Sequence, residues 1–277
     1  MLEEPATELP AMTAPHQNSD GQNSDGPNPT AAVLIVGNEI LSGRTKDANL
    51  PHIAERLGGQ GILVREARVV PDVPEEIIAA VNALRSRYTY VFSTGGIGPT
   101  HDDITSECVA RAFGVALERN PEAVARLERH YGDPALLNEA RLRMANIPAG
   151  AELIDNPISA APGFRIGNVF VMAGVPNIMQ AMLDGILPRL RGGPPIHART
   201  VSCALAEGVL AADLGALQER YPALEIGSYP YFRRGDFGVS LVLRGTDEGQ
   251  VDGATEELAA IVRRLGGTPS VTVGSKG

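Results

Sequence analysis

A glycine-rich segment carries the clearest chemical signal in the chain. Residues 94–105 read TGGIGPTHDDIT and follow the apolar run at residues 88–92. Glycine has no Cβ atom, so Gly95, Gly96 and Gly98 allow the backbone to turn tightly and to approach a ligand closely. The first amides of a following helix have no partners within that helix, and the helix dipole there favours negative charge. The segment therefore predicts a phosphate-binding turn between a strand and a helix.

Two adjacent aspartates, Asp102 and Asp103, lie at the expected start of that helix. Carboxylates beside a phosphate cradle are explained if a hard divalent cation bridges the acid and the phosphate oxygens. The alternative is that one of them only caps the helix by accepting a backbone hydrogen bond. The glycines and both acids together favour a ligand site, because open α/β sheets bind ligands where their strands end.

The apolar periodicity predicts strands and helices that alternate along the chain. Strands are predicted at residues 31–36, 62–70, 88–92, 152–155 and 168–173. Strands that alternate with helices predict a mostly parallel sheet with helices on both faces. Gly and Pro cluster at residues 191–195, and the pattern beyond them predicts strand, helix, strand, strand and helix. We therefore predict an α/β domain over residues 31–191 and a small α+β domain over residues 199–277.

Three further loops should meet the glycine turn at one edge of such a sheet. Gly37, Asn38 and Glu39 follow the first strand, a second loop begins at Asn156, and the third is the GVPN segment at residues 174–177. Taken singly, these residues have simple structural interpretations as turn residues or helix caps. Their repetition at the ends of predicted parallel strands favours one common site.

Composition and charge restrict the class of protein. The 277 residues carry a net charge of −9 and no long run of Lys or Arg, which argues against nucleic acid as the main partner. Cys108 and Cys203 lie far apart without metal-ligand spacing, so a cytoplasmic protein without disulfides is predicted. No apolar stretch is long enough to span a bilayer, and no membrane association is expected. Residues 1–30 contain a tandem QNSDG repeat and almost no large apolar residues, which predicts a disordered tail.

The motifs together resemble the competence/damage-inducible protein A (CinA) family. The resemblance runs from about residue 31 to about residue 265. Its segments are GNEILSG at 37–43, GGIGPTHDDIT at 95–105, NPISAAPGF at 156–164, GVP at 174–176, GSYP at 227–230 and LRGTD at 243–247. The resemblance implies a three-layer α/β domain of the MoaB/Mog type that holds a phosphorylated pterin or nucleotide against these loops. It also implies self-association into a homo-oligomer.

The resemblance further implies an activity. In this branch the domain is associated with metal-dependent pyrophosphatase activity on ADP-ribose and, in the related domain of eukaryotic FAD synthases, with FAD hydrolysis. The expected cofactor is a divalent cation of the Mg, Mn or Co class, with molybdopterin as an alternative ligand. Asp102 and Asp103 are the candidate metal ligands, and Glu39 is a candidate third ligand or base. The candidate substrate- and phosphate-binding residues are Gly37, Asn38, Thr94, Gly95, Gly96, Gly98, Thr100, Asn156, Gly174 and Asn177.

Three departures from the family pattern bear on this expectation. Long members append a nicotinamide-nucleotide amidase domain, for which this chain is too short, so that activity is expected to be absent. Many members have Glu where Ile178 stands. This leaves a non-catalytic binding protein for molybdopterin or a related nucleotide as the second interpretation. Mog-type adenylyltransferases carry Arg-Asp in a different glycine-rich loop, whereas this chain has His101 before Asp102, which disfavours a role in cofactor synthesis. His101 itself is interpreted as a solvent-facing turn residue.

Overall fold

The computed structural model describes residues 28–233 and 236–274. The strands of the first part are β1 (Thr30–Val36), β2 (Leu63–Val70), β3 (Tyr90–Thr94), β4 (Leu117–Arg119), β5 (Asn146–Pro148), β6 (Glu152–Ile154), β7 (Gly163–Ile166) and β8 (Val169–Met172). The helices of this part are α1 (Asn38–Leu41), α2 (Asn49–Gly58), α3 (Pro74–Arg85), α4 (Thr105–Phe113), α5 (Pro121–Tyr131), α6 (Glu139–Leu142) and α7 (Pro176–Ile186).

The main sheet has six strands in the order β2-β1-β3-β8-β7-β6. Strands β2, β1, β3 and β8 are parallel, whereas β7 is antiparallel to both of its neighbours. Because β6 is antiparallel to β7, it runs in the direction of β8, and all strands of this sheet except β7 end at one edge. The predicted α/β class with a mostly parallel sheet is confirmed. Strand β7 lies where the sequence predicted only an extended loop.

Apolar side chains on both faces of the central strands create the three layers. All residues of β1 are buried, and successive side chains of a strand point to opposite faces. Leu34 packs in one core with Ile77 of α3 and Val109 of α4. Val33 packs in the other core with Ile53 of α2. The sheet therefore lies between a layer that contains α3 and α4 and a layer that contains α2 and α7.

Cys108 of α4 lies in the first of these cores. Burial raises the pKa of its thiol to about 11, with a smaller contribution from Glu107. Since the thiolate is the reactive form, we expect the native Cys108 to resist a disulfide reagent at neutral pH and to react after unfolding in guanidinium. Mass spectrometry of the labelled protein measures this. Rapid labelling of Cys108 in the native protein would contradict the prediction.

The predicted disordered tail falls mostly on residues 1–27, which lie outside the described residues. Its last residues are structured, in contrast to the prediction for residues 1–30. Thr30 begins β1, and the buried Asn28 donates from Nδ2 to the carbonyl oxygens of Gly61 at 2.7 Å and Pro194 at 2.9 Å. One side chain thereby joins the start of β1 to the turn before β2 and to the segment in which Gly and Pro cluster.

The second part of the chain forms its own sheet and core. Its elements are β9 (His197–Cys203), α8 (Glu207–Arg220), β10 (Glu225–Arg233), β11 (Asp236–Gly245), α9 (Glu248–Arg264) and β12 (Ser270–Val273). The antiparallel sheet has the order β10-β11-β9-β12, and α8 and α9 share one core against it. The predicted order of strand, helix, strand, strand and helix is present, but β12 was not predicted. Throughout the described residues, no helix has both the length and the apolar character that crossing a membrane requires.

Candidate functional site

The turns that follow β1 and β3 lie side by side, because these two strands pair in parallel. Gly95 has φ 98°, and a Cβ atom at this residue would lie 2.2 Å from the carbonyl oxygen of Val36. Its amide donates to the carbonyl of Met172, at the end of β8, over 3.2 Å. The ends of three strands therefore meet at a residue where only glycine fits.

Unpaired amides follow Gly95 directly. The amides of Gly96, Ile97 and Gly98 donate to no acceptor among the described residues, and neither does that of Ser106 in the first turn of α4. The carbonyl of Gly96 accepts from the amide of Thr105 at 2.9 Å, which fixes the turn to the start of α4. Unpaired amides at a helix N-terminus form an anion-binding arrangement. The structure thus places unpaired amides at the turn that the sequence predicted to bind phosphate.

Several buried side-chain oxygens near this turn have no hydrogen-bond partner among the described residues. They include those of Ser93 and Thr94 at the end of β3, Thr105 at the start of α4 and Asn49 at the start of α2. All four residues are at most 5% exposed. Buried polar atoms are nearly always hydrogen-bonded. The interior beneath the glycine turn therefore contains polar atoms that lack a hydrogen-bond partner. Thr94 was predicted to bind phosphate, and its side chain belongs to this buried set.

Thr100 holds Asp103 against the glycine turn. The Asp103 Oδ2 atom accepts from the amide of Thr100 at 2.8 Å and from its hydroxyl at 2.6 Å. A Cβ atom on Gly98 would lie 2.7 Å from the same oxygen. Asp103 Oδ1 accepts no hydrogen bond from the described residues. The nearby Thr100 hydroxyl, and then the backbone of Asp102 itself, lower the pKa of the exposed Asp102 carboxyl. Asp102 is therefore ionised at neutral pH.

Neither aspartate caps α4. The helix begins at Thr105, and the preceding Ile104 provides no side-chain hydrogen bond. The capping alternative therefore fails, and the conformation of the turn is the only local role that the structure gives to Asp103. The His101 side chain is 96% exposed, in agreement with its interpretation as a solvent-facing residue, and its Nδ1 lies 4.0 Å from Asp102 Oδ1.

The turn after β1 contributes exposed residues that already have contacts, either within this turn or with the loop after β2. The amide of Asn38 donates to Asp72 Oδ2 at 2.9 Å. The Glu39 carboxylate folds back over Gly37, where a Cβ atom would lie 2.5 Å from both carboxylate oxygens. In the described part of the chain, no group of three or more His, Cys, Asp and Glu side chains could hold a metal ion. Glu39 thus does not form a ready-made third ligand beside the two aspartates.

Asn156 organises its own loop. Its Nδ2 atom donates to Ser159 Oγ at 2.7 Å and to the carbonyl of Ala161 at 2.8 Å, while Oδ1 accepts from the amides of Ile158 and Ser159. The loop follows β6, which lies three strands from β3 in the sheet. At the usual strand spacing this separation is about 14 Å. Asn156 therefore lies at the predicted edge, but its polar atoms are occupied and the residue is distant from the glycine turn.

Gly174 lies directly against the glycine turn, whereas Asn177 lies on the surface. A Cβ atom on Gly174 would be 3.2 Å from Gly95 Cα, and the Gly174 carbonyl accepts from Asn49 Nδ2 at 2.8 Å. Asn177 is exposed in the first turn of α7, where its side chain accepts from the amide of Ile178. The structure therefore groups Gly174 with Gly95 and leaves the Asn177 carboxamide oxygen bonded to its own backbone.

Sequence reasoning missed two polar residues of this region. Asn49 was overlooked beside the apolar residues of α2, although an Asn next to the first helical turn is a recognisable signal. Arg143 lines a cavity of about 210 Å³ together with Gly98 and Asp103. No local pattern marks Arg143, because it reaches the turn only through the packing of β5 against α4.

Two parts of the chain match known protein families. Residues 32–192 match the probable molybdopterin binding domain, and residues 195–265 match the middle domain of FAD synthase. A protein of Thermococcus kodakarensis is 37% identical over 85% of this chain and 98% of its own length. A CinA-like protein of Citrifermentans bemidjiense is 42% identical over 69% of this chain and 49% of its own length. The chain thus spans about half the length of this CinA-like relative.

A solved structure gives the same result. The crystal structure of the protein CinA from Thermoplasma acidophilum, described as of unknown function, is 38% identical to this chain with a TM-score of 0.54. The likeness covers 58% of this chain and 98% of that protein. The chain therefore belongs to the CinA-like family of proteins built on a MoaB/Mog-type molybdopterin-binding domain.

Proposed function

We propose that the protein is a divalent-metal-dependent pyrophosphatase that acts on a dinucleotide such as ADP-ribose or FAD. The observation that carries the proposal is the row of unpaired amides at residues 96–98, with the Asp103 carboxylate against Gly98 and Asp102 next to it in the chain. Amides bind phosphate oxygens, whereas carboxylates repel them unless a cation lies between. The match of residues 195–265 to the FAD synthase middle domain supports a nucleotide as the ligand class.

The donor set fits a cation that arrives with the phosphate. Asp103 has one oxygen bonded to Thr100 and one oxygen free, and Asp102 is exposed. Mg²⁺ is usually held by one or two carboxylates, with substrate phosphates and water completing its coordination. A cation of the Mg, Mn or Co class bound by these two aspartates would neutralise charge on the phosphoryl oxygens.

The residues of the chain itself would bind and orient the pyrophosphate. The amides of residues 96–98 would donate to the non-bridging oxygens, on which charge develops in the transition state. The Thr100 hydroxyl is bonded to Asp103, so its role would be to position that acid. Glu39, which is exposed on the adjacent turn, is the proposed base that takes a proton from water. The reaction adds the water oxygen to phosphorus, breaks the bond to the bridging oxygen and yields two monophosphates.

The second candidate is a non-catalytic protein that binds molybdopterin or a related nucleotide. Ile178 favours this alternative, because it stands where many members of the family have Glu. Its side chain packs against the core formed by α2 and α7 and supplies no ligand group. The same amides would bind the phosphate of a pterin without any reaction.

A panel of dinucleotides with and without divalent cations separates the two candidates. We expect the purified protein to release AMP from ADP-ribose or FAD when Mg²⁺, Mn²⁺ or Co²⁺ is present, and to release none in EDTA. Chromatography of the products measures the release, and calorimetry measures binding in the same samples. Binding without turnover under every metal condition would favour the non-catalytic protein, and the absence of both would overturn both candidates.

A further inference from the structure

We infer that Arg143 binds a phosphoryl group of the ligand in a small pocket on the α4 side of the glycine turn. This inference rests on the proposed function and names a subsite of the same site. The pocket is the cavity of about 210 Å³, and Gly98, Asp103, Ser106, Arg143 and Asn146 are among its lining residues. The glycine turn, the N-terminal residues of α4 and the chain at the start of β5 form different walls of this pocket.

The volume of the pocket limits what it can hold. Pockets that enclose a whole drug-sized ligand measure about 300–1,000 Å³. At about 210 Å³, this cavity is too small for a dinucleotide but large enough for one phosphoryl group and the atoms next to it. The remainder of the ligand would lie outside it, over the ends of the strands.

Hydrogen-bond donors with no partner line the pocket. Arg119 Nε donates to Asn146 Oδ1 at 2.9 Å. The side-chain Nδ2 atom of Asn146 has no partner among the described residues. The amides of Gly98 and Ser106 are unpaired as well. Arg143 is exposed and forms no ion pair with any residue that the structure describes. A guanidinium without a carboxylate partner matches a phosphate through two parallel hydrogen bonds.

A buried hydroxyl beneath the turn is an independent indication of a ligand. Thr105 is 0% exposed, and its Oγ1 atom has no partner among the described residues. This oxygen would lie 2.2 Å from a Cβ atom on Gly96, so it faces the turn whose amides continue into the pocket. An unpaired hydroxyl at such depth requires a polar partner. This hydroxyl lies beneath the turn and not in the wall of the cavity, so it indicates that a polar partner is missing next to the amides of the turn.

The charges of the pocket indicate how a phosphate would enter. Asp103 and Glu107 both line the cavity, and Arg143 is the one cationic residue among the described residues that line it. A phosphate dianion would therefore bind with Arg143, and a divalent cation held by the acids would offset their repulsion. A monoester offers three oxygens for this arrangement, whereas the phosphate of a diester offers two. The subsite therefore favours the phosphoryl group of a mononucleotide, which is a product of the proposed reaction.

Calorimetric titration of the full chain with AMP, and separately with inorganic phosphate, in the presence of Mg²⁺ tests the inference. Loss of a charge-assisted hydrogen-bonding partner is expected to raise the Kd of AMP by roughly tenfold to hundredfold in Arg143→Ala. Arg143→Lys should recover part of the affinity, because it keeps the charge but not the paired geometry. Arg263→Ala is the matched control, since it removes an equally exposed arginine from α9 and should leave the Kd unchanged.

The outcomes separate this inference from the proposed function. If the Kd of AMP for the Arg143→Ala variant lay within about twofold of the value for the unchanged protein, the phosphoryl subsite would be overturned. The proposed activity would still stand. A protein that hydrolyses a dinucleotide but binds neither AMP nor phosphate would also overturn it. A protein that neither binds nor hydrolyses any of these compounds would overturn the proposed function together with the subsite. Thermal melting of each variant confirms that its fold is retained.

Discussion

Replacing Asp103 by Asn is expected to lower kcat/KM for metal-dependent hydrolysis by roughly a hundredfold to a thousandfold, the size of effect known for losing one electrostatic group that stabilises a transition state. The asparagine keeps an oxygen that can accept the amide of Thr100, so the turn should persist. It has no negative charge with which to hold a cation. Steady-state kinetics measure the loss, and the melting temperature should change by no more than roughly 2 °C.

Asp133→Asn is the matched control for this experiment. Asp133 is also an exposed aspartate that accepts a backbone hydrogen bond in a turn, from the amide of Ala135 at 2.8 Å. It lies after α5, outside the glycine turn, and its replacement should leave turnover unchanged. If the Asp103 variant melted several degrees earlier yet hydrolysed the dinucleotide at the normal rate, Asp103 would have a structural role only.

Replacing Gly95 by Ala should destabilise the first domain by about 2–4 kcal/mol, because it adds steric overlap to backbone strain. The residue has φ 98°, and the new methyl group would lie 2.2 Å from the Val36 carbonyl oxygen. The backbone of the glycine turn would have to move, so binding of AMP should be lost as well. Urea unfolding measures the change in the free energy of unfolding.

Gly114→Ala isolates the contribution of strain alone. Gly114 ends α4 with φ 68°, and no atom lies within 4 Å of a Cβ atom built on it. This variant should lose only about 1–2 kcal/mol, the cost of a left-handed conformation for a residue with a side chain. Equal losses in the two variants would mean that the close approach of Gly95 to Val36 contributes nothing.

The sequence predicted the elements whose side chains follow a simple apolar period. Strand β1 and helices α2 and α3 are of this kind, and their positions agree with the prediction. Strand β3 was placed at residues 88–92 but extends to Thr94, because Ser93 and Thr94 are polar and still buried at the strand end. Strand β7 was missed because Pro162 and Gly163 indicated a loop. Its pairing with β8 is a long-range interaction that no local pattern encodes.

For the candidate site, the sequence predicted which turns lie together but not which side chains bond to each other. Parallel strands determine that the turns after β1 and β3 share an edge, and this follows from element order alone. The partners of individual side chains do not follow from it. Asp103 is bonded to Thr100, Glu39 is folded over Gly37, and the amide of Asn156 is used within its loop. Whether these contacts form depends on differences of a few tenths of an ångström in atomic position. Residue types and their spacing in the sequence do not determine positions so closely.

The contact made by Asn28 attaches the segment that connects the two sheets to the first of them. A Cβ atom on Gly193 would lie 2.6 Å from Asn28 Nδ2, and one on Gly61 would lie 2.4 Å from the Pro194 carbonyl oxygen. The backbone at Gly61 and the backbone at residues 193–194 are therefore in direct contact, with no side chain between them. Bending at this point would break the hydrogen bond from Asn28 to Pro194 and separate closely packed peptide groups. Residues 193 and 194 should therefore move with the first sheet, so any bending between the two sheets should occur after Pro194.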